Sequence, residues 1–288
     1  MRSLFTYRIS AWLLLASLLM GSCTERIDIE LDSTFRRLVV QGAVTSDSVR
    51  HRVFLTTTSD YFANMASPRV SGAQVELSFS DQRVTLVENP LFPGLYETPF
   101  AFRGEVGTTY VLDISQVDVD EDGQNEEYRA ESTMPGGAEL EYIALRYFSS
   151  PIVSGYQVLM WASHPVEQKD LFGFRIRKNG VLLTDSLASY TVFSDDLFDS
   201  GYLPGFPVGF LSDDDPRERV YPGDTVTFEL ESIDPAYYDF VTDAQLEIIG
   251  NIPLFSGPAA NVKSNISNGG VGIFAAYSIL RASTILEP

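Results

Sequence analysis

Apolar side chains recur at every second position over much of this chain, the period of a half-buried strand. Ala73-Gln74-Val75-Glu76-Leu77-Ser78-Phe79 alternates strictly. Arg83-Val84-Thr85-Leu86-Val87-Glu88 alternates again after Asp81-Gln82, so the pair predicts a hairpin. β-rich runs at 37–44, 51–58, 95–98, 109–114 and 128–133 bring the first half to about seven strands at sandwich spacing. Met134-Pro135-Gly136-Gly137 reads as a linker. Beyond it, 140–148, 155–162, 172–178, 181–185, 190–193, 224–231 and a closing 271–279 read as strands, with Asn179-Gly180 a strong hairpin turn. One helix is predicted from Asp234-Pro235, a capping residue followed by proline at the first helical position, to Gly250. Tyr238, Val241, Leu246 and Ile249 are its expected buried stripe. The pattern predicts a mostly β protein of two β-sandwich-like (immunoglobulin- or prealbumin-like) domains, 36–135 and 139–288. One short helix lies near the C-terminus, at 235–249.

The N-terminus departs from this pattern. Arg2 and Arg8 precede the apolar run Ala11–Met20, which is shorter than the ~20 residues a membrane-crossing helix needs. Residues 1–22 therefore read as an export signal. Met20-Gly21-Ser22-Cys23 resembles a bacterial lipobox, with small residues directly before the chain's single cysteine. In that reading the chain is cleaved before Cys23, the Cys23 thiol is lipidated, and residues 23–35 form a tether. The alternative is an ordinary secretory signal with a stray cysteine. Glu25, Asp28, Glu30 and Asp32 just after the cysteine resemble the surface-export signals of Bacteroidetes lipoproteins. The expected address is the outer membrane, on the cell surface.

Charge narrows the partners. Among 288 residues, 20 are Lys or Arg and 39 are Asp or Glu, a net charge of −19. A surface this acidic repels nucleic-acid backbones and anionic lipid headgroups, so the bilayer contact expected is the acyl anchor alone. One cysteine excludes a disulfide framework and Cys-based metal clusters. No G-x-S-x-G, H-E-x-x-H or P-loop occurs, and His51 and His164 read as structural, so no catalytic residues are assigned and a non-enzyme is expected.

Asp118-Val119-Asp120-Glu121-Asp122-Gly123-Gln124-Asn125-Glu126-Glu127 carries the sharpest local chemistry. Carboxylates at alternate places followed by glycine resemble a calcium loop, with Asp118, Asp120, Asp122 and Glu126 as candidate ligands. The twelfth place is Arg129, not the bidentate Glu of an EF-hand, and strands flank the loop. The competing reading is a solvated hairpin tip. No other cofactor is expected. Asp213-Asp214-Asp215 reads as a solvated loop. Residues 190–210 read as a long irregular loop in which Phe193, Phe198, Tyr202, Phe206 and Phe210 either meet a ligand or partner, or fold back to plug a sandwich end. Asn265 and Asn268, in the Asn/Ser/Gly-rich stretch 261–270, offer amides to a ligand or form a turn into the last strand.

Two resemblances complete the reading. Ser71-Gly72-Ala73, Gly94-Leu95-Tyr96 and Gly107 with Tyr110 and Leu112 resemble bacterial surface sandwiches of the carboxypeptidase-regulatory-like type, which implies turn glycines and tyrosines packed between sheets. From Cys23 to Ile279 the chain resembles a Bacteroidetes outer-membrane lipoprotein family catalogued as a domain of unknown function (4249). Cys23-Thr24-Glu25-Arg26, Leu38-Val39-Val40-Gln41-Gly42, Phe198-Asp199-Ser200-Gly201, Gly250-Asn251-Ile252-Pro253-Leu254-Phe255 and above all Asn265-Ile266-Ser267-Asn268-Gly269-Gly270-Val271-Gly272-Ile273-Phe274 carry it. Genes of that family often lie beside TonB-dependent receptors. The resemblance implies an accessory or ligand-capture partner of such a transporter in nutrient uptake. The alternative is a structural or adhesive surface module stiffened by calcium.

Overall fold

Period-two alternation becomes strand almost everywhere the sequence shows it. The computed structural model describes residues 36–59, 66–165, 170–197, 201–250 and 262–287. The first half contributes β1 (Leu38–Thr45), β2 (Arg52–Thr57), β3 (Gln74–Phe79), β4 (Gln82–Thr85), β5 (Val87–Glu88), β6 (Leu95–Glu97), β7 (Thr109–Val117) and β8 (Glu126–Thr133). The second contributes β9 (Glu139–Ser149), β10 (Ser154–Ser163), β11 (Leu171–Lys178), β12 (Val181–Leu182), β13 (Thr191–Ser194), β14 (Tyr202–Ser212), β15 (Thr225–Ser232), helix α1 (Pro235–Gly250) and β16 (Val271–Ile285).

Among the described residues these strands form three sheets. A large one runs β12-β11-β15-β16-β1-β2-β6-β5, with β13 also paired to β11. Sheets ordered β4-β3-β7-β8 and β14-β10-β9 face its two halves. In the first core Leu38, Val40 and Leu55 of the large sheet meet Val75, Leu77, Leu112 and Ile114. In the second, Phe174, Phe228 and Leu230 meet Val158, Met160 and Leu203. Each core is two sheet layers joined by alternate apolar side chains, a sandwich arrangement. β16 belongs to both. Its first part pairs parallel with β1 and places Phe274 and Ala276 in the first core. Its second part pairs antiparallel with β15, and Leu280 and Ala282 pack on the second. The strand reaches Ile285, beyond the predicted end at 279.

The local devices follow their chemistry. Asn179 and Gly180 have φ of 51° and 81°, the left-handed pair that a tight hairpin requires. Tyr96 and Tyr110 are buried as expected. Their hydroxyls tie down the chain: Tyr96 Oη donates to Val70 O (3.1 Å) and accepts from Ala73 N (2.9 Å), and Tyr110 Oη accepts from Glu105 N (2.8 Å). Asp234 caps α1, its Oδ1 accepting from Tyr237 N at 2.7 Å. Met134, expected in a linker, is fully buried in the first core. The predicted helical stripe is rotated. Val241 is buried, but Leu246 is 63% exposed, and the side chain of Ile249 lies outside the described residues. The seated face is Tyr237, Val241 and Gln245 at four-residue steps. Tyr237 stacks on Tyr277 (5.7 Å between ring centroids), and the Gln245 amide donates to Leu187 O at 2.8 Å.

Candidate functional site

The acidic loop between β7 and β8 folds around its own carboxylates. Glu121 (φ 64°) and Gly123 (φ 86°) take left-handed backbone. Asp118 then accepts from the main-chain N–H of Asp122 (3.0 Å) and Gly123 (2.9 Å). Asp122 accepts from Gln124 N (2.7 Å) and Glu126 from Val119 N (3.0 Å). One oxygen from each of Asp118, Asp120, Asp122 and Glu126 lies within 4.8 Å of the others. The four residues spaced as ligands in the sequence are thus brought together. An all-oxygen set of this charge suits a hard cation, calcium before any other. Arg129 at the twelfth place instead pairs with Asp113 across the sheet (2.9 Å), and Arg36 pairs with Glu121.

The aromatic stretch 190–210 is not one irregular loop. Its ends are β13 and β14, which pair with β11 and β10. This divides the five candidate aromatics. Phe193 and Phe206 turn inward onto the second core, 5.4 Å apart. Phe198 lies outside the described residues. Tyr202 and Phe210 sit on the opposite, outward face of the β14-β10-β9 sheet. Register puts Pro204 beside Trp161 and Trp161 beside Tyr142 on that face, and Gly155 beside Phe148. Trp161 and Tyr142 stack at 4.5 Å with 13° between planes, and Phe148 meets Phe210 edge-on at 6.4 Å. Tyr142 is 48% exposed, Tyr202 43% and Phe148 42%. Arg146, held by Gln157 at 2.7 Å, supplies the strip's cation. The outcome is an aromatic platform built on rigid strands. It presents flat π faces to a ring-bearing ligand or an apolar partner surface.

The sequence reading missed Tyr142, Phe148 and Trp161. The signal lay in the phase of the alternation. In β9 the core takes Ile143 and Leu145, so aromatics at 142 and 148 occupy the solvent face, where polar residues are the rule.

Asn265 is committed to the fold. Its amide donates to Phe274 O (2.7 Å) and Glu131 O (3.2 Å), and its Oδ1 accepts from Phe274 N (3.0 Å). Asn268 donates to Glu127 O at 3.3 Å from a left-handed turn position, φ 54°. Asp213 accepts from Tyr147 Oη (3.1 Å), and Asp215 accepts from Arg217 N (2.8 Å). Cys23 lies outside the described residues. Beneath α1, a groove of about 610 Å³ opens on the outer face of β1, β2 and β16, lined by Phe54, Tyr237, Phe240 and Tyr277. Arg175, which also lines it, is already paired with Glu231 (2.7 Å), so the groove suits an apolar group rather than an anion. His51 is buried, and its Nε2 lies 3.0 Å from Phe102 O. Burial lowers its pKa, which suits a structural histidine. His164, also read as structural, is buried against Asp170 and Asp195.

The fold and these surfaces define a mostly β protein with one short helix and layered sheets. No helix among the described residues is long and apolar enough to cross a membrane. The chain belongs to the family described as "Domain of unknown function (DUF4249)", whose model matches residues 24–283. A search of the curated proteins found no match.

Proposed function

We propose that this protein is a non-enzymatic lipoprotein of the bacterial outer membrane, anchored through Cys23. There it acts as an accessory or ligand-capture partner of a TonB-dependent transporter. The observation that carries the reading is the outward aromatic platform, with Tyr142, Phe148 and Tyr202 exposed and Trp161 and Phe210 half-buried between them. Aromatic side chains on rigid strands give large contact area at small entropic cost, the usual make-up of an interface hot spot. Tethering by the lipid raises the effective concentration at the membrane, so even modest docking through this face is productive. The net charge of −19 keeps nucleic acid off the list of partners.

Affinity purification of the tagged, lipidated chain from mildly solubilised outer membranes tests this. The expected result is stoichiometric recovery of a TonB-dependent receptor. Trp161→Ala is expected to cut that recovery roughly 30-fold, the effect of losing about 2 kcal/mol at a hot spot, while leaving the thermal midpoint nearly unchanged. Recovery of the lipoprotein alone, in detergent that preserves other transporter complexes, defeats the proposal.

A second reading, a structural or adhesive surface module stiffened by calcium, is favoured by the four converging carboxylates of the acidic loop. Calcium at one hundredfold its Kd is expected to add about 2.7 kcal/mol of stability, or roughly 5–10 °C in Tm. Calorimetry with and without chelator measures the shift. Asp120→Asn together with Asp122→Asn is expected to abolish it, and no shift in the wild type rules out calcium stiffening.

A further inference from the structure

Three ionisable side chains that the sequence keeps apart are buried together at one end of the second sandwich. His164 follows β10, Asp170 immediately precedes β11, and Asp195 follows β13. Their side chains are only 3%, 7% and 8% exposed. Main-chain bonds fix the three segments: His164 N donates to Gly201 O (2.9 Å), and Asp195 N donates to Asp170 O (3.2 Å). The Nδ1 of His164 lies 3.4 Å from Asp195 Oδ2, 3.7 Å from Asp170 Oδ2 and 3.3 Å from Pro165 O. All three distances exceed the ~2.7–3.2 Å of a good N–H···O bond, and one proton on Nδ1 cannot be shared well among three oxygens. The ring's other nitrogen, Nε2, is buried with no hydrogen-bond partner among the described residues. The buried imidazole thus keeps one long hydrogen bond, from Nδ1 to Pro165 O, and none at Nε2, fewer than a purely structural histidine normally makes.

The spacing is that of ligands around an ion. One ligand atom from each residue lies within 4.8 Å of the other two. Three points so confined always have a centre no more than about 2.8 Å from each. Side-chain shifts of about 0.7 Å then reach the 2.0–2.2 Å bonds of zinc to nitrogen and oxygen. At tetrahedral angles such bonds hold their ligand atoms about 3.4 Å apart. The donor set also selects. An imidazole nitrogen beside two carboxylates suits Zn²⁺, whereas calcium and magnesium take oxygen alone. We propose that His164, Asp170 and Asp195 form a zinc site, with Nδ1 and one oxygen of each carboxylate as protein ligands. The dication balances both buried carboxylates, accepts the Nδ1 lone pair and leaves the proton on Nε2. It ties the end of β10 to the start of β11 and the end of β13, beside the strand that leads into the aromatic platform. The site is independent of the acidic loop, whose donors are all oxygen.

Spectroscopy of cobalt-loaded protein and zinc calorimetry, both on the detergent-solubilised full-length chain, test the proposal. Expected are 1:1 saturable zinc binding, the intense visible bands of four-coordinate cobalt with a nitrogen ligand, and a rise in Tm that a chelator reverses. His164→Ala and Asp195→Asn are each expected to weaken binding at least 100-fold. Asp120→Asn with Asp122→Asn is expected to leave it unchanged. Wild-type protein that gives no cobalt bands and no 1:1 zinc isotherm overturns the proposal, even where the His164 variant fails to fold. Zinc binding lost with the acidic-loop carboxylates and kept by His164→Ala overturns it as well.

Discussion

Replacing Arg175 by alanine is expected to cost about 3–5 kcal/mol of stability, the range for stripping one partner from a buried ion pair. Arg175 on β11 donates through Nε to Oε1 of Glu231 on β15 at 2.7 Å. Tyr190 Oη donates to the other carboxylate oxygen at 2.5 Å, and the guanidinium lies 4.5 Å over the Tyr190 ring. Glu231 is 1% exposed. Burial pushes its carboxyl above the usual carboxylate range, against the pull of Arg175 and Tyr190. Burial opposes the charge on Arg175 too, yet Glu231 and the surrounding tyrosines hold it firmly protonated. Without the guanidinium, Glu231 must either carry a buried, uncompensated charge or take up a proton on folding. A carboxyl whose folded pKa is raised contributes most below its unfolded pKa of about 4.3 and loses that contribution as pH rises through the folded value. The deficit of Arg175→Ala is therefore expected to be larger at pH 8 than at pH 5. Urea unfolding at both pH values measures it. A loss below about 1 kcal/mol at pH 8 would mean that water reaches Glu231.

What the sequence disclosed was what neighbouring residues decide. Strict alternation at 73–79 became β3, Asn179-Gly180 became a left-handed turn, and Asp234-Pro235 capped a helix. The acidic loop belongs here too, since its four carboxylates fall within nine consecutive residues and fold onto their own main chain. What stayed hidden depends on partners far along the chain. The later part of the stretch 190–210, from Tyr202 on, reads as loop because of Pro204, Gly205, Pro207 and Gly209. It forms β14 because an edge strand tolerates prolines, and its register shifts opposite Val158/Leu159 and Met160/Trp161 absorb them. Strand formation then sends Phe193 and Phe206 inward and leaves Tyr202 and Phe210 on the platform with aromatics of β9 and β10. No local pattern joins His164, Asp170 and Asp195. They meet only because β10 and β13 end where β11 begins.

The pairing of β16 with β1 is another such long-range contact, and Gly272→Ala is expected to break it at a cost of about 4 kcal/mol or more, the range reserved for severe core disruption. Gly272 lies opposite Val40 in the parallel register of the two strands, with φ of 103°. A methyl group there would stand 2.0 Å from the carbonyl oxygen of Val40 and 3.0 Å from its carbon. Main chain held in a ladder cannot give way as a flexible side chain can, so the strands must separate or slip. Either response reaches both sandwiches, since β16 carries Phe274 and Ala276 in the first core and packs Leu280 and Ala282 on the second. A slip of one residue would turn those side chains to the wrong face. Gly269→Ala separates the clash from the backbone effect. Gly269 also has a left-handed φ, 72°, but nothing lies within 4 Å of its added methyl. That variant is expected to lose only the ~1–2 kcal/mol of placing an L-residue in left-handed backbone. Denaturant unfolding of both variants against the wild type gives the difference. Equal losses would mean that strain at Gly272 is confined to its own dihedral angles and that β1 yields to the methyl group. A much larger loss at 272, with both cores unfolding together, is the outcome expected if this strand pair holds the two halves in one sheet.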